Sequence, residues 1–288
     1  MQIKKIGVLG IGVMGQGIVQ ICAQNGFEVV VRDVSDEIVQ RGLKNIEGIL
    51  SRLVSKEKIS EDDKAATLSR IKGTVNMADL REVDYLIEAI FEDMELKKKV
   101  FKELDELAKP NVIIGTNTST LSITEIASAT KRPEKVIGIH FFNPPPLMRL
   151  VEVIKGYLTS DETVSVTREL AEKGLGKETV LVKKDTAGFV VNRVSVSHLV
   201  ESVRTYEEGV ASIEDIDKAV KLGLNYPMGP FELLDLLGID TSLAVFASME
   251  KELGKEFMFH VPYTIKSLVK AGKLGRKTGE GFYKYEKK

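Results

Sequence analysis

Ile6-Gly7-Val8-Leu9-Gly10-Ile11-Gly12-Val13-Met14-Gly15 is the stretch on which the reading of this chain turns. A strand-length apolar run leads into G-x-G-x-x-G, and the residues that follow take helical spacing, with Ile18, Ile21 and Cys22 on one face. Strand, glycine turn and helix in that order make a dinucleotide-binding start. Gly10 permits the tight turn, Gly12 lets the backbone approach a pyrophosphate, and Gly15 lets helix and strand pack closely. The helix start at Val13 and Met14 offers unpaired N–H groups and the positive end of the helix dipole. Asp33 closes the next apolar run about 20 residues downstream, where a carboxylate accepts the ribose hydroxyls of an adenosine. The same carboxylate repels a 2′-phosphate, which favours NAD over NADP, while the neighbouring Arg32 pulls the other way.

Outward from this motif, short β-branched runs at Val29–Val31, Tyr85–Ile87, Val112–Ile114 and Val136–Ile139 alternate with helical stretches as far as about Val182. That alternation predicts a parallel, helix-covered sheet. Between the second and third runs, Ser35 to Ile71 reads as two charged helices broken near Ile59-Ser60. After Asp185-Thr186-Ala187-Gly188 the strand signal stops. Phe189–Glu208, Ile213–Leu222, Pro230–Leu237 and Pro262–Ala271 carry helical periodicity. The expected fold class is α/β: a Rossmann-like, mostly parallel sheet domain over residues 1–184, then an all-helical C-terminal domain over 185–288, with a hinge at Lys183 to Gly188.

Composition narrows the function classes. Over 288 residues, a 43% hydrophobic content supports a sizeable core and excludes a disordered chain. Lys+Arg 41 against Asp+Glu 42 leaves no global field for a nucleic-acid backbone, so no nucleic-acid partner is expected. The single Cys22 excludes an internal disulfide and a cysteine-based zinc cluster, and no metal site is expected. No run approaches the ~20 apolar residues needed to span a bilayer, and the N-terminus lacks the anatomy of a secretory signal. A soluble, cytoplasmic protein with no membrane partner is expected.

The densest cluster of chemistry is Gly138-Ile139-His140-Phe141-Phe142-Asn143-Pro144-Pro145-Pro146-Leu147-Met148-Arg149-Leu150-Val151-Glu152-Val153. Two β-type runs flank a proline-rich reversal. If the chain turns about Pro146, His140 and Glu152 face each other on antiparallel strands, where opposed Cβ atoms lie ~4.5–5.5 Å apart. A carboxylate on one ring nitrogen fixes the imidazole tautomer and raises the basicity of the other, as a general base near neutral pH requires. Spacing alone equally allows a structural histidine. His198, mid-helix, and His260, in a loop, have no comparable partner in the sequence and read as structural or surface residues.

Other polar clusters admit two readings each. Thr116-Asn117-Thr118-Ser119-Thr120 follows a strand, where open α/β sheets bind ligands, yet it also suits a helix cap. Glu92 and Lys97 follow Glu88 at the end of another strand, and pattern alone makes them solvated helix residues. Asn192 is a polar residue in an apolar helix start, so a ligand or a neighbouring domain must supply its partners.

Together, the glycine motif, Asn117-Thr118-Ser119, His140-Phe141-Phe142-Asn143-Pro144 with Glu152, Gly188-Phe189-Val190-Val191-Asn192-Arg193, Pro227-Met228-Gly229-Pro230 and Gly275-Arg276-Lys277-Thr278-Gly279-Glu280-Gly281-Phe282-Tyr283 resemble the L-3-hydroxyacyl-CoA dehydrogenases. The resemblance runs from the first strand to the C-terminus. The length is similar to that of stand-alone 3-hydroxybutyryl-CoA dehydrogenases rather than multifunctional β-oxidation enzymes. It implies hydride transfer between a nicotinamide cofactor and an acyl-CoA thioester, with 3-hydroxybutyryl-CoA and acetoacetyl-CoA the expected pair. It further implies a homodimer formed through the C-terminal domain and an active site in the cleft between the domains. By position, His140 is the catalytic base, Glu152 the acid that orients it, and Ser119 and Asn192 the polar residues around the substrate oxygens. Asn143, Glu92, Lys97 and Lys277 line the nicotinamide half of the cofactor site, with Ser119 beside them, and Lys56 with Arg52 meets the CoA phosphates. The triple proline Pro144-Pro145-Pro146 departs from the family's usual N-P-A-P or N-P-V-P. Two alternatives share the architecture: a sugar-acid dehydrogenase resembling gulonate 3-dehydrogenase, and a non-catalytic NAD-binding protein resembling λ-crystallin. The first lacks remote phosphates for Lys56 and Arg52, and the second has no need of His140, Glu152, Ser119 and Asn192 together.

Overall fold

The computed structural model describes residues 3–253 and 260–286, in two compact units, Met1–Asp185 and Thr186–Lys288. The first unit is built on one eight-stranded sheet: β1 Lys5–Leu9, β2 Glu28–Arg32, β3 Ile71–Thr74, β4 Tyr85–Glu88, β5 Ile113–Thr116, β6 Val136–Phe141, β7 Leu150–Ile154 and β8 Glu178–Val182. Their spatial order is β3-β2-β1-β4-β5-β6-β7-β8, and every neighbouring pair is parallel except β6 with β7. The order reverses between β1 and β4, which opens a crevice at their carboxyl ends, where ligands of such sheets bind. β4, β5 and β6 are buried at every position, as strands covered on both faces must be, and this is why they read as unbroken apolar runs.

Helices α1 Val13–Gln24, α2 Asp36–Ser55, α3 Glu61–Ser69, α4 Met94–Leu107, α5 Ile123–Ala127 and α6 Asp161–Glu169 connect the strands. α6 continues into a π-helical turn, Leu170–Gly174. The charged stretch between β2 and β3 is the expected helical pair. Ser35 caps α2, and Ser60 with Asp63 forms a capping box that starts α3 at the expected break. The five apolar runs and the hairpin pick out six of the eight strands. β3 and β8 lie at opposite edges, pair on one side only, and have no position or one position fully buried, so they carry little apolar signal.

The second unit holds α7 Val191–Glu207, α8 Ile213–Gly223, α9 Pro230–Leu237, α10 Ile239–Leu253 and α11 Tyr263–Lys270 around Val196, Leu199, Val203, Phe231, Phe246 and Met249. α10 is additional to the four expected segments. Gly238, at φ +92°, breaks the chain between α9 and α10 in a conformation that an L side chain rarely adopts, so one apolar stretch becomes two helices. Near the C-terminus the unit also contains isolated bridges, Gly275 to Glu280 and Glu280 to Lys284.

Candidate active site

The glycine turn at the end of β1 has the shape its sequence predicts. Gly10 has φ +90°, and a Cβ there would lie 2.5 Å from the Ala89 carbonyl oxygen. A Cβ on Gly15 would lie 2.0 Å from the Gly10 carbonyl oxygen, so internal packing requires both glycines. Gly12 is different: nothing lies within 4 Å of its added Cβ, and it opens α1 with no side-chain cap and no acidic residue in the first turn. Bare donors, a positive dipole end and open space fit a pyrophosphate. Val13 is exposed and Met14 half-buried in that turn. Asp33 follows β2 directly, beside this turn, accepting the Ile11 N–H at 2.8 Å on Oδ2 and the Val34 N–H at 2.7 Å on Oδ1. With one donor on each oxygen, the carboxylate keeps acceptor capacity for a ribose. Arg32 directs its Nε to the Val75 carbonyl at 3.3 Å.

The antiparallel pair β6–β7 carries the expected register, with His140 opposite Glu152. Both side chains are buried, and His140 Nδ1 lies 2.8 Å from Glu152 Oε2. The other ring nitrogen, Nε2, lies 3.2 Å from the Ser119 hydroxyl. The imidazole is thus gripped from behind by a carboxylate and met in front by a hydroxyl, and Phe142 packs on it with ring centroids 4.6 Å apart. Asn117 locks the neighbouring strand ends together, its Oδ1 accepting the Phe141 N–H at 2.8 Å. The proline reversal is docked at two points. Pro145 is buried against Gly17 of α1, where a Cβ would lie 2.5 Å from the proline Cδ. The buried Lys177 donates to the Pro145 and Met148 carbonyls at 2.7 Å each, and desolvation holds its ammonium below the ordinary lysine range. Asn143 is exposed at the head of this reversal.

Lys97 is not the solvated helix residue its pattern suggests, and Glu92, although exposed, precedes α4 and is engaged with other elements. Lys97 is fully buried in the first turns of α4, with Nζ 2.6 Å from Glu88 and 3.5 Å from Glu92. Glu92 gathers the segment after β5, accepting the N–H groups of Ser119 at 2.8 Å and Thr120 at 3.2 Å and the Thr118 hydroxyl at 2.5 Å. That segment is therefore not a helix cap, a role taken by Ser122 at the start of α5.

With this geometry in place, the relatives are informative. Residues 5–186 match the NAD-binding domain of 3-hydroxyacyl-CoA dehydrogenase, and residues 188–285 match the C-terminal domain of the same enzyme. The chain belongs to the 3-hydroxyacyl-CoA dehydrogenase family. It is 48% identical over 283 residues to the 3-hydroxybutyryl-CoA dehydrogenase of Clostridioides difficile, an alignment covering 98% of this chain and 100% of that one. The crystal structure of (S)-3-hydroxybutyryl-CoA dehydrogenase from Ralstonia eutropha matches with TM-score 0.92 and 44% identity over 99% of this chain and 100% of the other. That of FadB2 from M. tuberculosis matches with TM-score 0.95 and 39% identity, at 99% and 100% coverage. The protein is an oxidoreductase, a 3-hydroxyacyl-CoA dehydrogenase with a nicotinamide cofactor and an acyl-CoA substrate.

Of the dehydrogenase's expected site residues, the first unit brings together His140, Glu152, Ser119, Glu92 and Lys97 through successive contacts, and Gly10, Gly12, Gly15 and Asp33 around one turn. Arg52 and Lys56 are exposed at the end of α2. In the second unit Asn192 is half-buried in the first turn of α7, and Lys277 is paired with Asp240 at 2.5 Å. His260, which showed no partner in the sequence, lies 2.8 Å from Glu250, but its ring is largely exposed; the local pattern gives no sign of a contact ten residues back. Glu88, Asn117 and Lys177 were not among the expected site residues. A carboxylate or amide at a strand's carboxyl end was the available signal for the first two, whereas Lys177 precedes an edge strand and carries none. Among the described residues no group of three or more His, Cys, Asp or Glu forms a metal site, and no helix is long and apolar enough to cross a membrane.

Proposed function

We propose that the protein interconverts (S)-3-hydroxybutyryl-CoA and acetoacetyl-CoA using NAD in preference to NADP, with His140 as the general base. The observation that carries this reading is the line Glu152 Oε2, His140 Nδ1, His140 Nε2, Ser119 Oγ, at 2.8 and 3.2 Å. The Glu152 carboxylate keeps the proton on Nδ1, which leaves Nε2 as the basic nitrogen on the side of Ser119. Nε2 takes the proton of the substrate 3-hydroxyl during oxidation and returns it during reduction. Glu152 stabilises the imidazolium in between. When bound, the nicotinamide cofactor accepts or supplies the hydride at C3. Ser119 holds the substrate oxygen; ordering the reacting atoms is this chain's main contribution.

Asn143, Glu92 and Lys97 belong by position to the nicotinamide half of the cofactor site, and the turn of Gly10, Gly12, Val13, Met14 and Gly15 with Asp33 belongs to the adenosine half. Arg52 and Lys56, exposed four residues apart, suit the CoA phosphates. Exposed Leu222, Leu224 and Leu237 in the second unit support a homodimer through that unit, and a single cysteine, Cys22, with no internal disulfide to form, suits a reducing cytoplasm.

The test is oxidation of NADH and of NADPH with acetoacetyl-CoA, longer 3-ketoacyl-CoA esters and a truncated thioester lacking the nucleotide. The expected result is fast NADH-dependent reduction of acetoacetyl-CoA, weaker use of NADPH, and a raised KM for the truncated ester. Equal efficiency with both cofactors, or with both thioesters, overturns the corresponding part of the reading.

A further inference from the structure

The carboxyl end of β4 carries a buried charge that the chemistry above does not use. Glu88 is fully buried; its Oε1 accepts the Ile90 N–H at 2.7 Å and Lys97 Nζ at 2.6 Å, and its Oε2 accepts the Thr116 hydroxyl at 2.7 Å. It therefore ties together β4, β5 and α4 at the strand ends that form the crevice. A buried ion pair is a poor device for stability alone, because well-packed apolar side chains of similar volume do as well or better. Its placement calls for another reason.

The contacts beyond it supply one. Lys97 lies 2.6 Å from Glu88 but 3.5 Å from Glu92 Oε2. The closer carboxylate takes up most of the lysine charge. Glu92 Oε1 stays on the N–H groups of Ser119 and Thr120 and the Thr118 hydroxyl, and Ser119 Oγ stays 3.2 Å from His140 Nε2. Without Glu88, a buried ammonium has one carboxylate left and draws Glu92 inward, off the 118–120 turn. We propose that Glu88 is a positioning residue: by neutralising Lys97 it leaves Glu92 to hold the turn that sets Ser119 against His140. The proposal rests on the assignment of Ser119 and His140 made above.

The test combines kinetics with local amide exchange in Glu88→Gln, Glu92→Gln, Ser119→Ala and the double variant Glu88→Gln/Ser119→Ala. Glu88→Gln should lower kcat about tenfold, within the up to ~10²-fold that a misplaced reacting group costs, with little change in KM for acetoacetyl-CoA. Amide exchange over residues 117–121 should quicken while the rest of the first unit stays protected. The double variant should be no slower than Ser119→Ala, because the two changes remove one function. Multiplying losses in the double, or unchanged exchange over 117–121 in a folded Glu88→Gln protein, overturns the proposal. If Glu88→Gln does not fold, the half-exposed Glu92→Gln reads the last link: protection of 117–121 equal to the parent's sinks it. A parental kcat in Ser119→Ala refutes the role of Ser119 instead, and the exchange data still decide whether Glu88 anchors the turn.

Discussion

Both units bury carboxylates, and they use them differently. In the first, Glu152 reaches across an antiparallel pair to the imidazole of His140, whose second nitrogen meets Ser119. In the second, Asp235 accepts the Phe282 and Tyr283 N–H groups and the Tyr285 hydroxyl, each at 2.9 Å, and Asp217 accepts the Phe231 and Glu232 N–H groups and the Tyr283 hydroxyl. These aspartates staple the C-terminal segment to α8 and α9. Here the carboxylate on the imidazole aims a reactive group, whereas the two aspartates, each with two backbone N–H groups, fix the path of the chain. The first kind should show itself in rate and the second in melting temperature.

The largest expected effect is His140→Gln, which should lower kcat by ~10²–10⁴-fold, the usual contribution of general acid–base catalysis, while NADH affinity and Tm stay near the parent's. Glu152→Gln should also lower kcat, since an amide neither stabilises imidazolium nor enforces the tautomer. The double should be little worse than the weaker of the two singles, because the pair acts as a unit. Steady-state kinetics with NADH binding and melting curves decide. A folded His140→Gln protein with parental kcat breaks the comparison at its first member.

Asp235→Asn should do the reverse. An amide turned toward the Phe282 and Tyr283 N–H groups faces donor with donor, and a buried polar group left unsatisfied costs ~1–3 kcal/mol. At roughly 2–4 °C per kcal/mol for a chain of this size class, Tm should fall by several degrees, with kcat per folded molecule retained. A kcat loss at unchanged Tm would mean that this staple also aims chemistry.

Asp33 stands between the two kinds, holding the Ile11 and Val34 N–H groups while remaining half-exposed beside the glycine turn. Asp33→Ser should narrow the preference for NADH over NADPH by about tenfold, near 1.4 kcal/mol. The ratio of kcat/KM for the two cofactors measures it. An unchanged ratio moves the discrimination to another residue, Arg32 first.

The same contrast explains what the sequence made legible. His140 and Glu152 are twelve residues apart across one reversal, so counting outward from Pro146 pairs them, and the observed register agrees. The glycine turn is equally local, and its strand, helix and Asp33 all fall where the spacing puts them. The Lys97 side chain depends on Glu88, on another element, and its own neighbours Glu95, Lys98 and Lys99 read as a solvated helix start. Asp217 and Tyr283 meet across 66 residues, and no period or local spacing announces such a contact. Edge strands β3 and β8 escaped for a different reason: paired on one side, they have no need of the apolar runs that mark β4 to β6.

The smallest expected effect tests whether Asp217 is the same kind of staple as Asp235. Burial pushes the Asp217 carboxyl above its ordinary range, outweighing the Phe231 N–H, the Tyr283 hydroxyl and the Glu232 N–H that favour the charged form; the neighbouring Glu232 carboxylate adds to the rise. A carboxyl raised in the folded state binds its proton more tightly there than in the unfolded chain. Its contribution to stability is therefore fully present below the unfolded value of about 3.9 and is lost as pH rises through the folded value. Glu232, held low chiefly by Lys221, works in the opposite direction, losing its contribution as pH falls. The difference in Tm between the parent and Asp217→Asn removes contributions common to both proteins. That difference should favour the parent most at the acid end and shrink from about pH 4 toward neutrality, by a change on the order of 1–2 °C. A difference that grows toward neutrality would mean that the backbone donors outweigh burial. The ionised carboxylate would then be the form that holds the C-terminal segment.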